Sequence, residues 1–524
     1  NTSEVLKMEK KALFYGIIHI GSSNLSLRIV EYKNIDNINV IEEVKKHITF
    51  GEEVFHNGKL SFDSILELCK MLKGLKQLLS DYQVKVYSVY ATSLLREAEN
   101  KRAIIDLIRV HTGFRVQVLD MPQEIYFKHF ALQHILRVSN SKKLYSPNFN
   151  FLFIDITSGC IGLTVWENGA LRYQHNIHIG TLRLLETFSV NQRDSQDFSI
   201  AIEEYIHAIM TPLWKFVLQY NPEYVVFSGS ESRIMTEFLE LKMNVDNMVS
   251  FKSSDFYKSY TKLNHFVFNK SKNISKYGIF WKYGVLPTIY LYKEILENIK
   301  TDKILIMGTT FIEAVAMFYG AEKTNDSVLS NMRTQNLELT RSIASCYFYE
   351  HEHAKIMESF CFTILNELKK KNGLTNRDEF LLRMSIILYQ IGKFVNLLDS
   401  YKQGWNLIRS TDVFGISEKE KDIVACIVYY AQGVFPHEKE TPFALLTDSA
   451  KMTALKLIAI FRMILAMDIS RKQKLKNMTV KIDSDKLVIN YDSYQNTSLE
   501  EWIFEKEKEF FQNIFGIEAR LERR

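Results

Sequence analysis

Residues 14–32, FYGIIHIGSSNLSLRIVEY, and residues 151–169, FLFIDITSGCIGLTVWENG, are two copies of one strand–turn–strand pattern. In each copy an apolar run ends in a polar residue, His19 or Asp155, and passes into a turn of small residues. An apolar–polar alternation typical of a strand then follows. The repetition predicts two similar halves that face each other. Backbone N–H groups in two such turns can hold a polyphosphate from both sides, so the pattern indicates phosphate chemistry.

Composition is that of an ordinary globular protein. The chain has 524 residues, of which 46% are hydrophobic and 24% charged, and this predicts about three or four domains with packed cores. The net charge of +5 permits a polyanionic ligand but is too diffuse to indicate nucleic acid. No apolar run reaches the roughly 18 residues of a membrane span, and the five cysteines show no CxxC spacing. We therefore expect a cytoplasmic protein without a nucleic-acid or membrane partner.

Strands and helices alternate up to about residue 320, and pure helical periodicity follows. The predicted fold is therefore α/β, with an all-α region after it. We expect lobe I at residues 1–138, lobe II at 139–320, a helical domain at 321–470 and a small C-terminal α+β domain at 471–524. The predicted helices cover residues 61–80, 93 onward, 122–137, 195–220, 231 onward, 286–300, 311 onward and 499–511, and the predicted strands outside the repeats cover 84–91, 115–120, 223–229, 303–308, 478–483 and 486–491.

Two further glycine turns come directly before predicted helices, one at Gly229 and one at Gly308. A helix N-terminus after such a turn offers N–H donors and a positive dipole end to an anion. Four turns at comparable places in two halves are stronger evidence for phosphate binding than one. Cys160 lies in one of these turns, and we interpret it as a small turn residue because no partner for a nucleophile can be named.

The segment YATSLLREAEN lies between the two repeats. Thr92 or Ser93 can cap a helix there, and Arg96 then projects from its first turn. One interpretation is an arginine that clamps phosphate oxygens through two hydrogen bonds. The alternative is a surface arginine paired with Glu97 or Glu99. The residues alone leave both interpretations open.

Taken in order, these segments resemble the exopolyphosphatase / guanosine-pentaphosphate phosphohydrolase (Ppx/GppA) family, a branch of the actin and sugar-kinase fold. IIHIGSSN resembles the first phosphate loop of that family, and IDITSGCIGL occupies the place of the second. ATSLLREAEN matches the family segment Ala-Thr-Ser-x-x-Arg-x-Ala-x-Asn, and VLDMPQEIYF occupies the place of the segment that carries the catalytic glutamate. IGTLRLLETF resembles the stretch after the second loop. The resemblance implies a two-lobed actin-like (ribonuclease-H-like) α/β body followed by an HD-like helical domain.

The resemblance also implies a function. It suggests a cytoplasmic, homodimeric phosphohydrolase that releases terminal phosphate from inorganic polyphosphate or guanosine pentaphosphate. In the family a glutamate activates water for in-line attack, while Mg²⁺ and the two loops hold the anion. Glu124 stands at the catalytic position and Asp155 at the metal-linked one, so Mg²⁺ is the implied cofactor. The implied phosphate-binding residues are Gly21, Ser22, Asn24, Ser93, Arg96, Ser158, Gly159 and Gly229.

Several positions depart from the family pattern. His19 stands where the first loop has an aspartate, and Gly162 stands where the second loop ends in a glutamate. Thr157 and Ser158 replace glycines, and their bulk restricts the approach of backbone to phosphate. The hydrolase is the leading hypothesis, and these departures motivate an alternative, a catalytically impaired protein that binds polyphosphate or an alarmone nucleotide and regulates a partner. A sugar or acetate kinase of the same fold class is a more distant alternative.

The helical region departs further from an HD-type metal site, which needs a histidine, a His-Asp pair and a distant aspartate. His353 occupies the first position, but Tyr389 and Gln390 replace the His-Asp pair. We therefore expect this domain to be structural or dimer-forming. We also expect His351 and His353 to lie on a helix surface or to be partly packed.

Lysines alternate with aromatic residues in the segment between residues 251 and 282. One interpretation is a path for polyphosphate or nucleic acid. The other is a solvated surface whose aromatic side chains face the core, and the residues favour this second interpretation. The lysines are Lys252, Lys258, Lys262, Lys270, Lys272, Lys276 and Lys282.

Overall fold

The computed structural model describes residues 13–138, 150–193, 195, 197–244, 247–268, 285–370, 372–433, 435–483 and 485–524. The chain divides into two compact units, Asn1–Met332 and Arg333–Arg524. The domain boundaries expected after residues 138, 320 and 470 stay predictions. Within the described ranges, every helix is too short or too polar to cross a membrane.

The first sheet of the first unit is built around the first repeat. Its strands are β1 (Leu13–Ile20), β2 (Asn24–Asn34), β3 (Asn37–His47), β4 (Tyr87–Ala91) and β5 (Val116–Val118), in the order β3-β2-β1-β4-β5. β1 pairs antiparallel with β2 and parallel with β4, and β4 is parallel to β5. The turn between β1 and β2 therefore lies at the carboxyl end of the parallel strand β1, where ligands of α/β sheets bind.

The second sheet repeats this arrangement around the second repeat. Its order is β10-β11-β9-β6-β7-β8, with antiparallel pairing of β6 and β7 and parallel pairing of β6, β9 and β11. Every residue of β6 is buried, as expected for a strand covered on both faces. The predicted α/β fold with two similar halves is confirmed. The strands are β6 (Phe151–Ile156), β7 (Ile161–Glu167), β8 (Ala170–Ile177), β9 (Tyr224–Ser228), β10 (Met248–Phe251) and β11 (Ile304–Met307).

Helices cover the two sheets and connect them. The described helices up to the boundary between the units are α1 (Phe50–Asn57), α2 (Phe62–Asp81), α3 (Ser93–Glu97), α4 (Lys101–Thr112), α5 (Met121–Val138), α6 (Thr181–Glu186), α7 (Val190–Arg193), α8 (Phe198–Leu218), α9 (Ser232–Phe238), α10 (Ser253–Phe268), α11 (Val285–Ile299), α12 (Phe311–Thr324) and α13 (Ser327–Ser345).

Two of these helices join the halves. α5 follows the first sheet, and its Lys128 forms an ion pair with Asp155 of the second sheet. α12 follows the last strand of the second sheet, and its Phe311 packs in one apolar cluster with Tyr15 and Ile17 of β1. Each helix therefore starts after one sheet and contacts the other, which holds the turns of both sheets close together.

The second unit is a helical body with a small sheet. Phe461, Ile489 and Phe511 belong to one hydrophobic core, so the C-terminal strands and helix pack with the preceding helices. The elements are α14 (His351–Leu368), α15 (Asn376–Leu388), a 3₁₀ turn (Ile391–Phe394), α16 (Ser400–Ser410), α17 (Glu418–Tyr430), α18 (Thr441–Ala444), α19 (Asp448–Met467), β12 (Lys476–Asp483), β13 (Lys486–Asp492), α20 (Ser498–Phe515) and β14 (Glu518–Arg523).

Most predicted elements are present with ends shifted by a few residues. The strands β3, β8, β10 and β14 lie outside the predicted elements. β8 reads ALRYQHNI and β10 has only four residues, so neither carries a strong apolar alternation. The polar linker predicted at residues 139–147 lies outside the described residues.

The lysine-spaced segment is described only in part. Lys258 and Lys262 are exposed on α10, Lys252 is exposed just before it, and Phe256 is fully buried. This part agrees with a solvated helix whose aromatic residues face the core. Lys270, Lys272, Lys276 and Lys282 lie outside the described residues.

Candidate active site

The two small-residue turns share one hydrogen-bonded geometry. In the first turn the Gly21 N–H donates to the Asn24 carbonyl at 2.9 Å. In the second turn the Thr157 N–H donates to the Cys160 carbonyl at 3.0 Å. Thr157 Oγ1 also accepts from the Cys160 N–H at 3.1 Å, which adds a side-chain bond to this turn. The two repeats therefore match in backbone geometry as well as in sequence pattern.

Three serine hydroxyls meet where the turns approach each other. Ser22 and Ser158, at equivalent positions 136 residues apart, are hydrogen-bonded through their Oγ atoms. Ser93, the first residue of α3, donates to Ser22 Oγ at 3.2 Å. A Cβ on Gly159 would lie 2.8 Å from Ser93 Cβ, so the approach of the second turn to α3 requires glycine. All three serines are buried, and they form a cluster of hydroxyl donors and acceptors.

A cavity of about 160 Å³ lies beside these turns. It is smaller than the roughly 300–1,000 Å³ of common ligand pockets. A cavity of about 150 Å³ holds a benzene-sized molecule, so this one has room for a phosphoryl group at the end of a chain. The predicted site residues in its wall are Gly21, Ser22, Asn24, Ser93, Glu124, Ser158 and Gly229, and other polar residues there include His19, Lys45, Thr92 and Lys128.

Glu124 lies in the first turn of α5 and is 4% exposed. Its Oε2 accepts a hydrogen bond from Arg96 Nη1 at 3.3 Å, and the same nitrogen donates to the Leu119 carbonyl at 3.0 Å. Arg96 also lies 3.6 Å from Glu97, and it is not among the residues that line the cavity. In this arrangement Arg96 positions the Glu124 carboxylate. A contact between Arg96 and phosphate stays a prediction.

Lys128 lies one helical turn after Glu124 on the same face of α5. Its Nζ donates to both oxygens of Asp155, each at 2.9 Å. The two side chains are 3% and 1% exposed, so this is a buried ion pair. Burial raises the pKa of the Asp155 carboxyl, and the Lys128 ammonium opposes that shift. Lys128 contributes to the cavity wall, whereas Asp155 and Gly159 do not.

By the resemblance described above, His19 stands where an aspartate is expected in the first loop. Its Nε2 lies 3.0 Å from Thr92 Oγ1, and its ring centroid lies 4.6 Å from that of Phe311. Burial lowers the pKa of His19 to about 4, so the ring is neutral near pH 7. The imidazole therefore brings neither a carboxylate for a metal nor a positive charge for a phosphate.

By the same resemblance, Gly162 stands where a glutamate is expected at the end of the second loop. A Cβ on Gly162 would lie 2.0 Å from Ile125 Cδ1, which is a severe steric clash. Ile125 is fully buried and follows Glu124 on α5. The space that an acidic side chain would need is therefore filled by an apolar side chain from the helix that carries Lys128.

We tested whether these donors fit a Mg²⁺ ion, which requires about six oxygen ligands in near-octahedral geometry. The two retained acids, Glu124 and Asp155, already pair with Arg96 and Lys128. Across the described ranges, no group of three or more His, Cys, Asp or Glu side chains could hold a metal ion. The donor set does not fit Mg²⁺ in this arrangement, and magnesium dependence stays a prediction that rests on the family resemblance.

The remaining predicted positions are explained by backbone geometry. Gly229 has a φ of +109°, and a Cβ there would lie 1.8 Å from the Ile156 carbonyl oxygen, so glycine is required. Cys160 is 1% exposed, and burial raises the pKa of its thiol to about 12, which agrees with a small turn residue. Lys128 was missed in the sequence. Its signal was the spacing of four residues from Glu124, which places both on one helix face.

In the second unit, the expectation for His353 was wrong. His353 is 2% exposed, whereas a surface or partly packed position was expected. Its Nδ1 lies 2.6 Å from Asp468 Oδ2, and its Nε2 lies 2.5 Å from the Tyr389 hydroxyl. Both ring nitrogens are thus engaged by side chains that are distant in sequence. His351 is exposed, as expected. A structural or dimer-forming role for this region stays a prediction.

Comparisons with known proteins match both units. A model of the Ppx/GppA phosphatase family matches residues 28–230, and a model of Ppx/GppA phosphatase domain III matches residues 338–508. The chain is similar to an exopolyphosphatase from Cytophaga hutchinsonii, with 17% identity and a TM-score of 0.50 over 59% of this chain and 98% of that one. It is also similar to a Ppx/GppA family member from Aquifex aeolicus, with 20% identity and a TM-score of 0.47 over 60% of this chain and 100% of that one.

The likeness to the Cytophaga structure concerns the fold and agrees with the expected actin-like α/β architecture. The two family matches together span more than half of the chain, and they include the second turn and Glu124, whereas the first turn precedes the matched residues. The chain therefore belongs to the Ppx/GppA phosphatase family.

Proposed function

We propose that this chain is a phosphohydrolase that releases the terminal phosphate of inorganic polyphosphate or guanosine pentaphosphate. Its membership of a phosphatase family supports phosphate-ester or anhydride hydrolysis. The observation that carries the proposal is the position of Glu124, which lines the same cavity as Ser22 and Ser158 of the two turns. A carboxylate beside a cradle of hydroxyl and N–H donors is the arrangement that water attack on a bound phosphoryl group requires.

In this proposal Glu124 acts as the general base. Arg96 occupies Oε2, so Oε1 accepts the proton as the water oxygen attacks the terminal phosphorus. The bridging P–O bond breaks, and orthophosphate and the shortened chain leave. The hydroxyls of Ser22, Ser93 and Ser158 exchange their mutual hydrogen bonds for bonds to phosphoryl oxygens. These donors stabilise charge at positions where phosphoryl transfer needs it.

The size of the cavity suits the end of a substrate chain. With about 160 Å³, it has room for a terminal phosphoryl group. Polyphosphate and guanosine pentaphosphate both end in such a group. The cavity by itself therefore does not select between them, and the proposal covers both.

A second candidate function is binding without turnover. Asp155 favours it, because both carboxylate oxygens accept from Lys128 and the side chain does not line the cavity. A protein of this kind would recognise the phosphate terminus through the turns and regulate a partner. Its difference from the hydrolase is measurable as binding in the absence of phosphate release.

The deciding experiment measures phosphate release from polyphosphate and from guanosine pentaphosphate, each with Mg²⁺ and with EDTA. We expect release by the wild type and a decrease of about 10²–10⁴-fold in Glu124→Gln, since the amide cannot accept the proton. The matched control is Glu237→Gln on α9, an exposed carboxylate far in sequence from the turns, which should keep wild-type release. Tight binding of tripolyphosphate with no release from either substrate would favour the second candidate.

A further inference from the structure

We propose that Lys128 is the resident cation of this site, and that its ammonium group takes the charge role that the family resemblance assigns to a metal ion beside Asp155. The inference rests on the proposed phosphate-binding function of the cavity and identifies how that cavity handles negative charge. It predicts that the protein binds a phosphate terminus without a protein-held divalent ion.

The geometry of the ion pair carries this inference. Lys128 Nζ lies 2.9 Å from both Asp155 oxygens, so one ammonium engages the whole carboxylate. An ammonium group has three donors, and two of them are used here. Lys128 also belongs to the cavity wall, and among the described residues only Asp155 accepts from its Nζ. The third donor is therefore available to a phosphate oxygen in the cavity.

The neighbouring positions close the space to a metal. The Ile125 side chain fills the volume beside Gly162, so no acidic group at that position can face Asp155. At the first turn the neutral His19 ring is hydrogen-bonded to Thr92. Asp155 is thus left with one partner of opposite charge, and that partner belongs to the protein. A buried carboxylate needs a partner of opposite charge, and the Lys128 ammonium, as part of the chain, compensates the charge of Asp155.

Two measurements on the wild type test the inference directly. Binding of Mn²⁺ to the protein alone is followed by electron paramagnetic resonance, and binding of tripolyphosphate in EDTA is followed by calorimetry. We expect no stoichiometric Mn²⁺ binding and a tripolyphosphate affinity that EDTA leaves unchanged. Stoichiometric Mn²⁺ binding, or tripolyphosphate binding that disappears in EDTA, would overturn the inference.

Variants then assign the effect to Lys128. In Lys128→Met, tripolyphosphate affinity in EDTA should fall about tenfold or more, as expected for a lost charged hydrogen bond. Because Asp155 is then unpaired, Mg²⁺ should raise the melting temperature of this variant and not that of the wild type. Lys45→Met is the matched control. Lys45 is an exposed lysine of the same cavity wall, so its loss weakens binding without creating a response to Mg²⁺.

If Lys128→Met does not fold, the double variant Lys128→Met/Asp155→Asn replaces it, because that change removes both buried charges. It should lose affinity for tripolyphosphate in EDTA to the same extent, and wild-type affinity in this variant would contradict the inference.

The two proposals fail separately. Metal-free binding that depends on Lys128, without phosphate release, rejects the hydrolase and retains the role of Lys128. Glu124-dependent release together with stoichiometric Mn²⁺ binding retains the hydrolase and rejects the proposed role of Lys128.

Discussion

Ile125 occupies the space that a side chain at position 162 would need. A Cβ added to Gly162 would meet Ile125 Cδ1 at 2.0 Å and Cγ1 at 2.9 Å. No positive φ is involved at this glycine, so the constraint is one of packing and not of backbone conformation. Ile125 in its present position and a side chain at position 162 therefore exclude each other.

A double-mutant cycle tests this pair. Gly162→Ala should lower the free energy of unfolding by about 1–3 kcal/mol through overpacking. Ile125→Val removes one methyl group at the point of contact and should cost about 0.5–1.5 kcal/mol by itself. The double variant should be more stable than the sum of the two changes predicts, measured by urea denaturation. Strict additivity would show that the two side chains do not compete for space.

At the scale of elements, the single helix α5 carries three of the side chains that shape this site. Its face carries Glu124, Ile125 and Lys128 at spacings of one and four residues. A rotation of the helix would therefore displace all three side chains together. Their relative positions follow from helix geometry, whereas their partners come from other elements.

The ends of helices in the second unit are stabilised by local hydrogen bonds that a single change tests. At the start of α17, Ser417 Oγ accepts from the Glu420 N–H and the Glu420 carboxylate accepts from the Ser417 N–H, which forms a capping box. Ser417→Ala should lower the free energy of unfolding by about 1 kcal/mol. The matched control is Ser359→Ala on the exposed face of α14, where alanine should be neutral or slightly stabilising. Thermal or urea denaturation measures both, and equal effects would rule out the cap as the cause.

At the scale of the whole molecule, we expect acid stability to depend on a histidine packed between α5 and the second sheet. His129 is fully buried near Phe153 and Trp166, and burial lowers its pKa to about 3. The unfolded chain binds a proton at this residue below about pH 6.5, while the folded protein does not. Stability from this residue is therefore present at neutral pH and decreases as the pH falls from about 6.5 towards 3.

We expect this effect to destabilise the first unit by roughly 2 kcal/mol between pH 7 and pH 5. His129→Phe should abolish that part of the decrease, because phenylalanine does not titrate. Hydrogen exchange of the β6 amides at the two pH values measures the change, and His111→Phe on the exposed face of α4 serves as the control. An identical pH response in wild type and His129→Phe would contradict the assignment.

Sequence patterns predict the duplicated α/β fold, the two turns and the helix that carries Glu124. These features depend on local periodicity, on small residues at turns and on helix starts, all of which are visible within a few consecutive residues. The same segments carry the resemblance to the Ppx/GppA family. The four strands outside the predicted elements are short or rich in polar residues, and their pairing depends on neighbours that lie elsewhere in the chain.

The contacts that those residues make are visible only once the chain is folded. The Ser22–Ser158 bond, the pairing of Lys128 with Asp155, the filling of the Gly162 space by Ile125 and the burial of His353 against Asp468 each join distant elements. Such contacts depend on how helices and sheets pack, and one sequence pattern is compatible with many packings. For that reason the sequence placed two acids near the site, while only the fold showed that both are already paired with cations from the protein.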